Sequence, residues 1–280
     1  DTMVVPILYY SSQIWSYEYR KEIEKVHTNF CKFILGVGRY TCNSAVLGEL
    51  GRLPIATSYY KRLFKYWLKI LKMPNDSYVR QYYNEMVRLD EKGNKNWCSE
   101  LKRQIFMHGF GYAWLSQSVG DDVKFISLAD IRIKDIMRQS WLSDILESEK
   151  LRTYRIFKSM LEPEKYLTNI TSFVLRRELS RFRISNHKLM IEEGRYKKIP
   201  VEQRLCKMCD LNFVEDEYHF IIICPAYTNL RLNLFPTNFM QIHSVFRNLF
   251  ESKDPRTNKL LALFIISAMK IRKRSLQSLT

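Results

Sequence analysis

Cys206, Cys209, His219 and Cys224 constrain this chain more than any other feature, spaced C-x2-C-x9-H-x4-C within LCKMCDLNFVEDEYHFIIICPAY. Three thiolates and an imidazole suit a tetrahedral Zn2+. The close cysteine pair supplies one edge of the tetrahedron. The histidine and the last cysteine return across a short β-hairpin to supply the other. With only 6 Cys and 5 His in the chain, chance has few ways to produce such a spacing. Four protein ligands leave no coordination position for water or substrate, so the expected ion is a single structural zinc that contributes to folding, not to catalysis. The bland alternative is a buried apolar strand, HFIIIC, that happens to carry a cysteine. Asp210, Glu215, Asp216 and Glu217 lie between the ligands. Those charges would repel a phosphate backbone, so the knuckle is expected to pin the chain around it and not to form the main nucleic-acid surface.

A chain of 280 residues, 46% hydrophobic, can bury one elongated core or two small ones. With 17 Tyr and 16 Phe against 9 Gly and 8 Pro, it is not composed like a disordered chain. Its net charge of +16 points to a polyanionic partner, usually nucleic acid and sometimes a membrane surface. The most apolar tract, Leu260 to Met269, is too short to span a bilayer and reads as a buried helix. No secretory signal is visible, and the first residue, Asp1, suggests a fragment. Cys31, Cys42 and Cys98 show no paired spacing, which fits a nuclear or cytoplasmic protein that is not secreted.

The periodicity predicts a mostly α fold, of one or more helical bundles. Tyr19, Ile23, Val26, Phe30 and Phe33 recur at helical steps, and Gly36 ends the run. A second helix, from near Pro54, buries Tyr60, Leu63, Phe64, Trp67, Leu68 and Leu71. Apolar stripes continue through Val79, Tyr82, Tyr83 and Met86, through Trp97, Leu101 and Ile105, and through Leu128, Ile131, Ile136, Trp141 and Ile145. Val123 to Ile126 carries a strand signal. In the second half, helices are expected from about Thr171 to Ile184, around Leu230 to Leu234, and from about Asn258 to Arg274.

Basic residues cluster on these helices. Lys61, Lys65, Lys69 and Lys72 form one stripe, and Arg176, Arg177, Arg181 and Arg183 flank another. Lys188, Arg195, Lys197, Lys198 and Arg204 precede the knuckle, and Lys270, Arg272, Lys273 and Arg274 resemble a nuclear-import signal. Any one stripe is ordinarily a solvated face. Together with the net charge and interleaved aromatics (Tyr59, Tyr66, Phe182, Tyr196), they suggest phosphate contacts with bases stacked between. His187 reads as structural or RNA-facing. Gly120-Asp121-Asp122 mimics a polymerase metal site, but no upstream strand carries a further aspartate, and a polar turn capping the next element is the better reading. No phosphate loop, nucleophile elbow or recognisable triad is present.

Several stretches together resemble the carboxy-terminal region of LINE-type (non-LTR) retrotransposon reverse transcriptase polyproteins. They are ILYYSSQIW at Ile7 to Trp15, IEKVHTNFCKFILGV at Ile23 to Val37, LGELGRLP at Leu47 to Pro54, RRELSRFRISNHKLMIEEGRY at Arg176 to Tyr196, and EDEYHF at Glu215 to Phe220 inside the Cys/His motif. The resemblance implies the end of a palm and thumb-like helices over 1–75, a helical connector over 76–170, and a basic helix, zinc knuckle and terminal helix over 171–280. With the basic clusters above, this predicts binding of RNA or an RNA–DNA hybrid through Lys61, Lys65, Lys69, Lys72, Arg176, Arg177, Arg181, Arg183, His187 and Arg195. A catalytic palm would be the partner in any longer chain. No membrane or small-molecule substrate is expected, and no catalysis from this piece alone. Two other readings remain: a protein-interaction module that presents Glu215, Asp216 and Glu217 to a basic partner, and a retroelement relic without selected activity.

Overall fold

The computed structural model describes residues 4–235 and 244–278, with the backbone alone at 4–5 and 16–20. The fold is mostly α, with no strand among the described residues. In chain order the helices are α1 (Val4–Tyr9), α2 (Ser12–Leu35), α3 (Asn43–Leu50), α4 (Ala56–Leu71), α5 (Tyr78–Glu91), α6 (Trp97–Met107), α7 (Gly111–Ser116) and α8 (Asp122–Glu147). There follow α9 (Tyr154–Phe157), α10 (Tyr166–Asn169), α11 (Phe173–Arg183), α12 (Met190–Tyr196), α13 (Thr228–Leu234), α14 (Val245–Glu251) and α15 (Pro255–Gln277). Two compact units result: Asp1–His27 with Leu53–Ser140, and Thr28–Arg52 with Trp141–Thr280. The expected divisions at 75 and 170 do not coincide with these boundaries. α4 and α6 share one core, and α9 to α11 share another with α14 and α15, so neither cut separates independent packing.

The first unit is built around α4. Its apolar face places Tyr59, Leu63, Phe64, Trp67 and Leu68 in the core with Leu101 and Ile105 of α6. Trp67 stacks on Trp114 at 6.3 Å and donates its indole N–H to the Tyr83 hydroxyl at 3.0 Å. Asn96 starts α6 by accepting from the Cys98 amide at 2.8 Å. Asp121 starts α8 in the same way, accepting from the amides of Val123 at 2.8 Å and Lys124 at 3.0 Å. Asp122 pairs with Lys72 at 2.7 Å. The two aspartates thus spend themselves on a helix cap and an ion pair.

The second unit packs α11 on α15, with Leu179, Phe182, Leu261, Phe264 and Ile265 buried in its core. Phe250 stacks on Phe157 at 4.6 Å and on Phe182 at 6.2 Å. Arg183 lies inside this core. Its Nε donates to Glu49 Oε2 at 2.8 Å and its Nη1 to the Phe250 carbonyl at 2.6 Å, and its Nη2 lies 2.7 Å from Glu164 Oε2. Burial works against its charge, but Glu49 and Glu164 outweigh that cost and hold its pKa above the ordinary arginine value. Tyr166 donates a further hydrogen bond to Glu49.

Close approach explains the glycines of LGELG. A Cβ on Gly48 would lie 2.6 Å from the Tyr154 hydroxyl and 2.9 Å from the Trp141 ring. Gly51 ends α3 with φ of 61°, and a Cβ there would lie 2.2 Å from the Pro163 backbone nitrogen. Neither strain can relax by moving a flexible side chain. Gly51→Ala is therefore expected to destabilise the second unit by about 3 kcal/mol, seen as a lower urea midpoint. A change below about 1 kcal/mol contradicts this account.

Tertiary packing overrode several local patterns. Val26, Phe30 and Phe33 are exposed, while Thr28, Cys31 and Leu35 form the buried seam of α2; the Tyr19 side chain lies outside the described residues. In α8 the seam buried in the first unit runs through Phe125, Ala129 and Ile133, leaving Leu128 and Ile131 exposed, while Trp141 and Ile145 are buried in the core of the second unit. Both helices carry apolar residues on more than one face, so periodicity alone allows two seams. Val79 and Tyr82 are exposed on α5, whose buried anchor is Tyr83. Val123 to Ile126 is helical: α8, capped at Asp121, overrides the local β-propensity.

Candidate metal centre

The four Cys/His ligands converge through two pieces of irregular backbone, where a hairpin was expected. One is a lone antiparallel bridge between Leu205 and Val214, in which the Cys206 amide donates to the Phe213 carbonyl and the Glu215 amide to the Arg204 carbonyl, each at 2.9 Å. It turns the chain around Cys206 and Cys209. The other is a π-helical turn, His219–Ile223, where an apolar strand was the alternative. Asp216 Oδ1 accepts from the His219 amide at 2.7 Å at its start, and the Cys224 amide donates to the His219 carbonyl at 2.8 Å at its end. This five-residue step brings Cys224 back beside His219, a use of π-turns common at functional sites.

One ligand atom from each residue lies within 4.8 Å of the others, so the group could hold a metal ion. Cys206 Sγ lies 3.9 Å from Cys224 Sγ, and Cys209 Sγ lies 3.4 Å from His219 Nε2. Cys206, His219 and Cys224 are buried, and Cys209 is half-buried. The Met208 amide points to Cys206 Sγ at 3.4 Å, the N–H···S contact that stabilises a thiolate. The two buried thiols share one interaction with opposite effects. The bond to Cys224 and then burial push Cys206 up, while the bond from Cys206 draws Cys224 down. Burial raises Cys209. A bound cation would displace the remaining thiol protons.

Of the four acidic residues around the cluster, Glu215 and Glu217 do not face outward, Asp216 is half-buried and Asp210 is exposed. Glu215 is buried and takes a bidentate pair from Arg272 of α15, at 2.6 and 2.7 Å, and also accepts from the Met190 amide at 2.7 Å. Glu217 is buried and accepts from Thr153 at 2.7 Å and Ser185 at 3.1 Å, beside Arg152 at 3.2 Å and His187 at 3.0 Å. Burial alone would raise Glu217. The bond to His187 and the nearby His187 and Arg152 charges outweigh that and bring it to about 2. Arg231, also buried, donates to the Cys224 carbonyl. Two of the charges expected to repel phosphate, Glu215 and Glu217, are instead struts tying the ligand loop to α12, α15 and the segments around Thr153 and Ser185. For the same reason, Glu215 and Glu217 are not available to a basic partner.

The cations foreseen as nucleic-acid contacts fall into different places. Lys61 pairs with Asp130 at 3.1 Å and Lys72 with Asp122, while Lys65 and Lys69 stay exposed. Arg183 and His187 are spent on Glu49 and Glu217 behind the surface and cannot reach a phosphate. Arg176 donates to the Ile170 carbonyl at 3.0 Å, and Arg177 and Arg181 share Glu178. Arg195 pairs with the buried Glu192 at 3.0 Å and lies over the exposed Tyr196 ring. Arg204 and Arg272 are buried, which removes one cation from each of their clusters, and Tyr59 and Phe182 are core residues. Lys188, Lys197 and Lys198 remain exposed. No spacing rule anticipates Arg272 against Glu215 or Arg183 against Glu49, because the partners are 57 and 134 residues apart.

Among the described residues, no helix is long and apolar enough to cross a membrane. No protein-family model, curated protein or solved structure matches the chain.

Proposed function

We propose that this chain is a zinc-stabilised module that binds RNA or an RNA–DNA hybrid, and that it derives from the carboxy-terminal region of a non-LTR retrotransposon reverse transcriptase. Cys206, Cys209, His219 and Cys224 would hold the zinc. Zn–S bonds of about 2.3 Å and Zn–N bonds of about 2.0 Å define a tetrahedron with S–S edges of about 3.8 Å and S–N edges of about 3.5 Å. The observed 3.9 Å and 3.4 Å support that fit. Thiolate donors also favour zinc over magnesium or calcium. With four protein ligands the ion's part is structural: it fixes the loop from which Glu215 and Glu217 reach their partners. One zinc per chain is expected by elemental analysis, and a metal-free or iron-loaded protein contradicts the assignment.

The observation that carries the nucleic-acid reading is the net charge of +16, together with cations left exposed after the internal ion pairs are formed. Lys65 and Lys69 in the first unit, and Lys188, Lys197 and Lys198 in the second, carry no ion pair among the described residues. Each phosphate neutralised by such a group releases a counterion, so binding should weaken steeply with salt. Labelled RNA and RNA–DNA hybrid titrated across a salt series test this. Replacing Lys188, Lys197 and Lys198 with Gln should reduce the salt slope by about one for each phosphate no longer neutralised. An absence of binding at low salt overturns the reading. In this proposal the chain alone extends no primer, because the palm carboxylates belong to a separate part of the parent protein.

A further inference from the structure

In the second unit, the last turn of α2 and the first turns of α11, with Leu50 of α3 and Leu167 of α10, line a half-open cavity of about 190 Å3. Ile34, Leu35, Leu50 and Leu167 give it apolar walls, and Arg176, Arg177 and Ser180 complete it. The volume is below the roughly 300–1,000 Å3 typical of small-molecule sites, so one planar ring fits better than a free cofactor. Arg176 gives Nη1 to the Ile170 and Thr171 carbonyls and meets no carboxylate among the described residues. Arg177 and Arg181 have only Glu178 between them, and Arg181 also donates to the Gly36 carbonyl at 3.0 Å. Three guanidinium groups thus face one carboxylate.

The exposed Phe173 adjoins this positive junction, and the exposed Phe33 precedes the cavity-lining Ile34 on the last turn of α2. Phe33, on the last turn of α2, is 78% exposed, and Phe173, at the start of α11, is 47% exposed. The Phe173 ring lies under the Arg177 guanidinium and within 3.1 Å of the place a Gly36 Cβ would occupy, hence against the end of α2. Exposed aromatic faces beside incompletely paired arginines match the needs of unpaired bases strung on phosphates. A duplex could use the arginines through its phosphates, but its bases stay stacked internally and cannot use the aromatic faces.

We propose that this junction binds single-stranded nucleic acid. One base enters the cavity, neighbouring bases stack on Phe33 and Phe173, and Arg176 and Arg177 take the phosphates. The inference rests on the nucleic-acid reading above and assigns it a surface. The test is fluorescence anisotropy with labelled oligouridylate, oligodeoxythymidylate and an RNA duplex of equal length. Phe33→Ala with Phe173→Ala should weaken single-strand binding about ten-fold or more and leave the duplex unchanged. Phe33→Trp with Phe173→Trp should retain binding, and unchanged melting curves establish that both variants fold. A loss confined to RNA or to DNA supports the site and identifies the sugar it accepts. Unchanged single-strand affinity overturns the inference while the general reading stands, and is the result expected if these rings dock a protein. An equal loss for duplex also overturns it. Failure of the wild-type chain to bind any of the three overturns the inference, and failure on the RNA–DNA hybrid as well brings down the general reading.

Discussion

Withdrawing the proposed zinc with a strong chelator, or replacing Cys224 with Ser, is expected to unfold the second unit. Structural zinc contributes about 10–16 kcal/mol in isolated zinc peptides, comparable with the whole stability of an ordinary domain at about 5–15 kcal/mol. The loss would not stay local. Glu215 holds Arg272 of α15, and Glu217 holds Thr153, Ser185 and His187, from the loop that the ligands close. Released from that loop, Arg272 and His187 would be buried without partners. Thermal melting with and without chelator measures the effect. A large, zinc-reversible drop is expected for the second unit. Equal melting in both conditions would remove the structural role from the cluster.

Glu49→Ala is expected to be the most damaging single substitution away from the ligands. It leaves the Arg183 guanidinium inside the core with Glu164 as its one remaining carboxylate, and removes the acceptor of the Tyr166 hydroxyl. Breaking one side of a buried ion pair costs about 3–5 kcal/mol, mostly because the remaining charge is stranded. Replacing both partners, as Glu49→Leu with Arg183→Met, should recover much of that loss. Urea denaturation of the two variants separates the possibilities. If Glu49→Ala is as stable as the parent, the network is not what joins α3 to α11.

Some of this was legible residue by residue. Local spacing sufficed for the Cys/His cluster, because its ligands fall within nineteen residues and a short irregular loop can bring them together. The single-faced helices α4, α6 and α11 were equally legible, since each has one apolar stripe and so one way to bury it. α2 and α8 were not, because each offers two seams and the choice belongs to the surfaces they meet. The charged residues were the least legible. Arg183 and Arg181 lie two positions apart on one helix, yet one is in the core and the other is at the surface.

What the sequence determined by itself is therefore local: helices where one apolar stripe recurs, the stop of α2 at Gly36, a four-ligand cluster set by spacing, and a large positive charge. The tertiary structure alone decided which cations remain at the surface. A guanidinium is stable in the core only when a carboxylate distant in the chain meets it there, and no local pattern encodes that meeting. Glu49 and Glu215 thus draw Arg183 and Arg272 inward and leave Lys65, Lys69 and the lysines beside α12 at the surface.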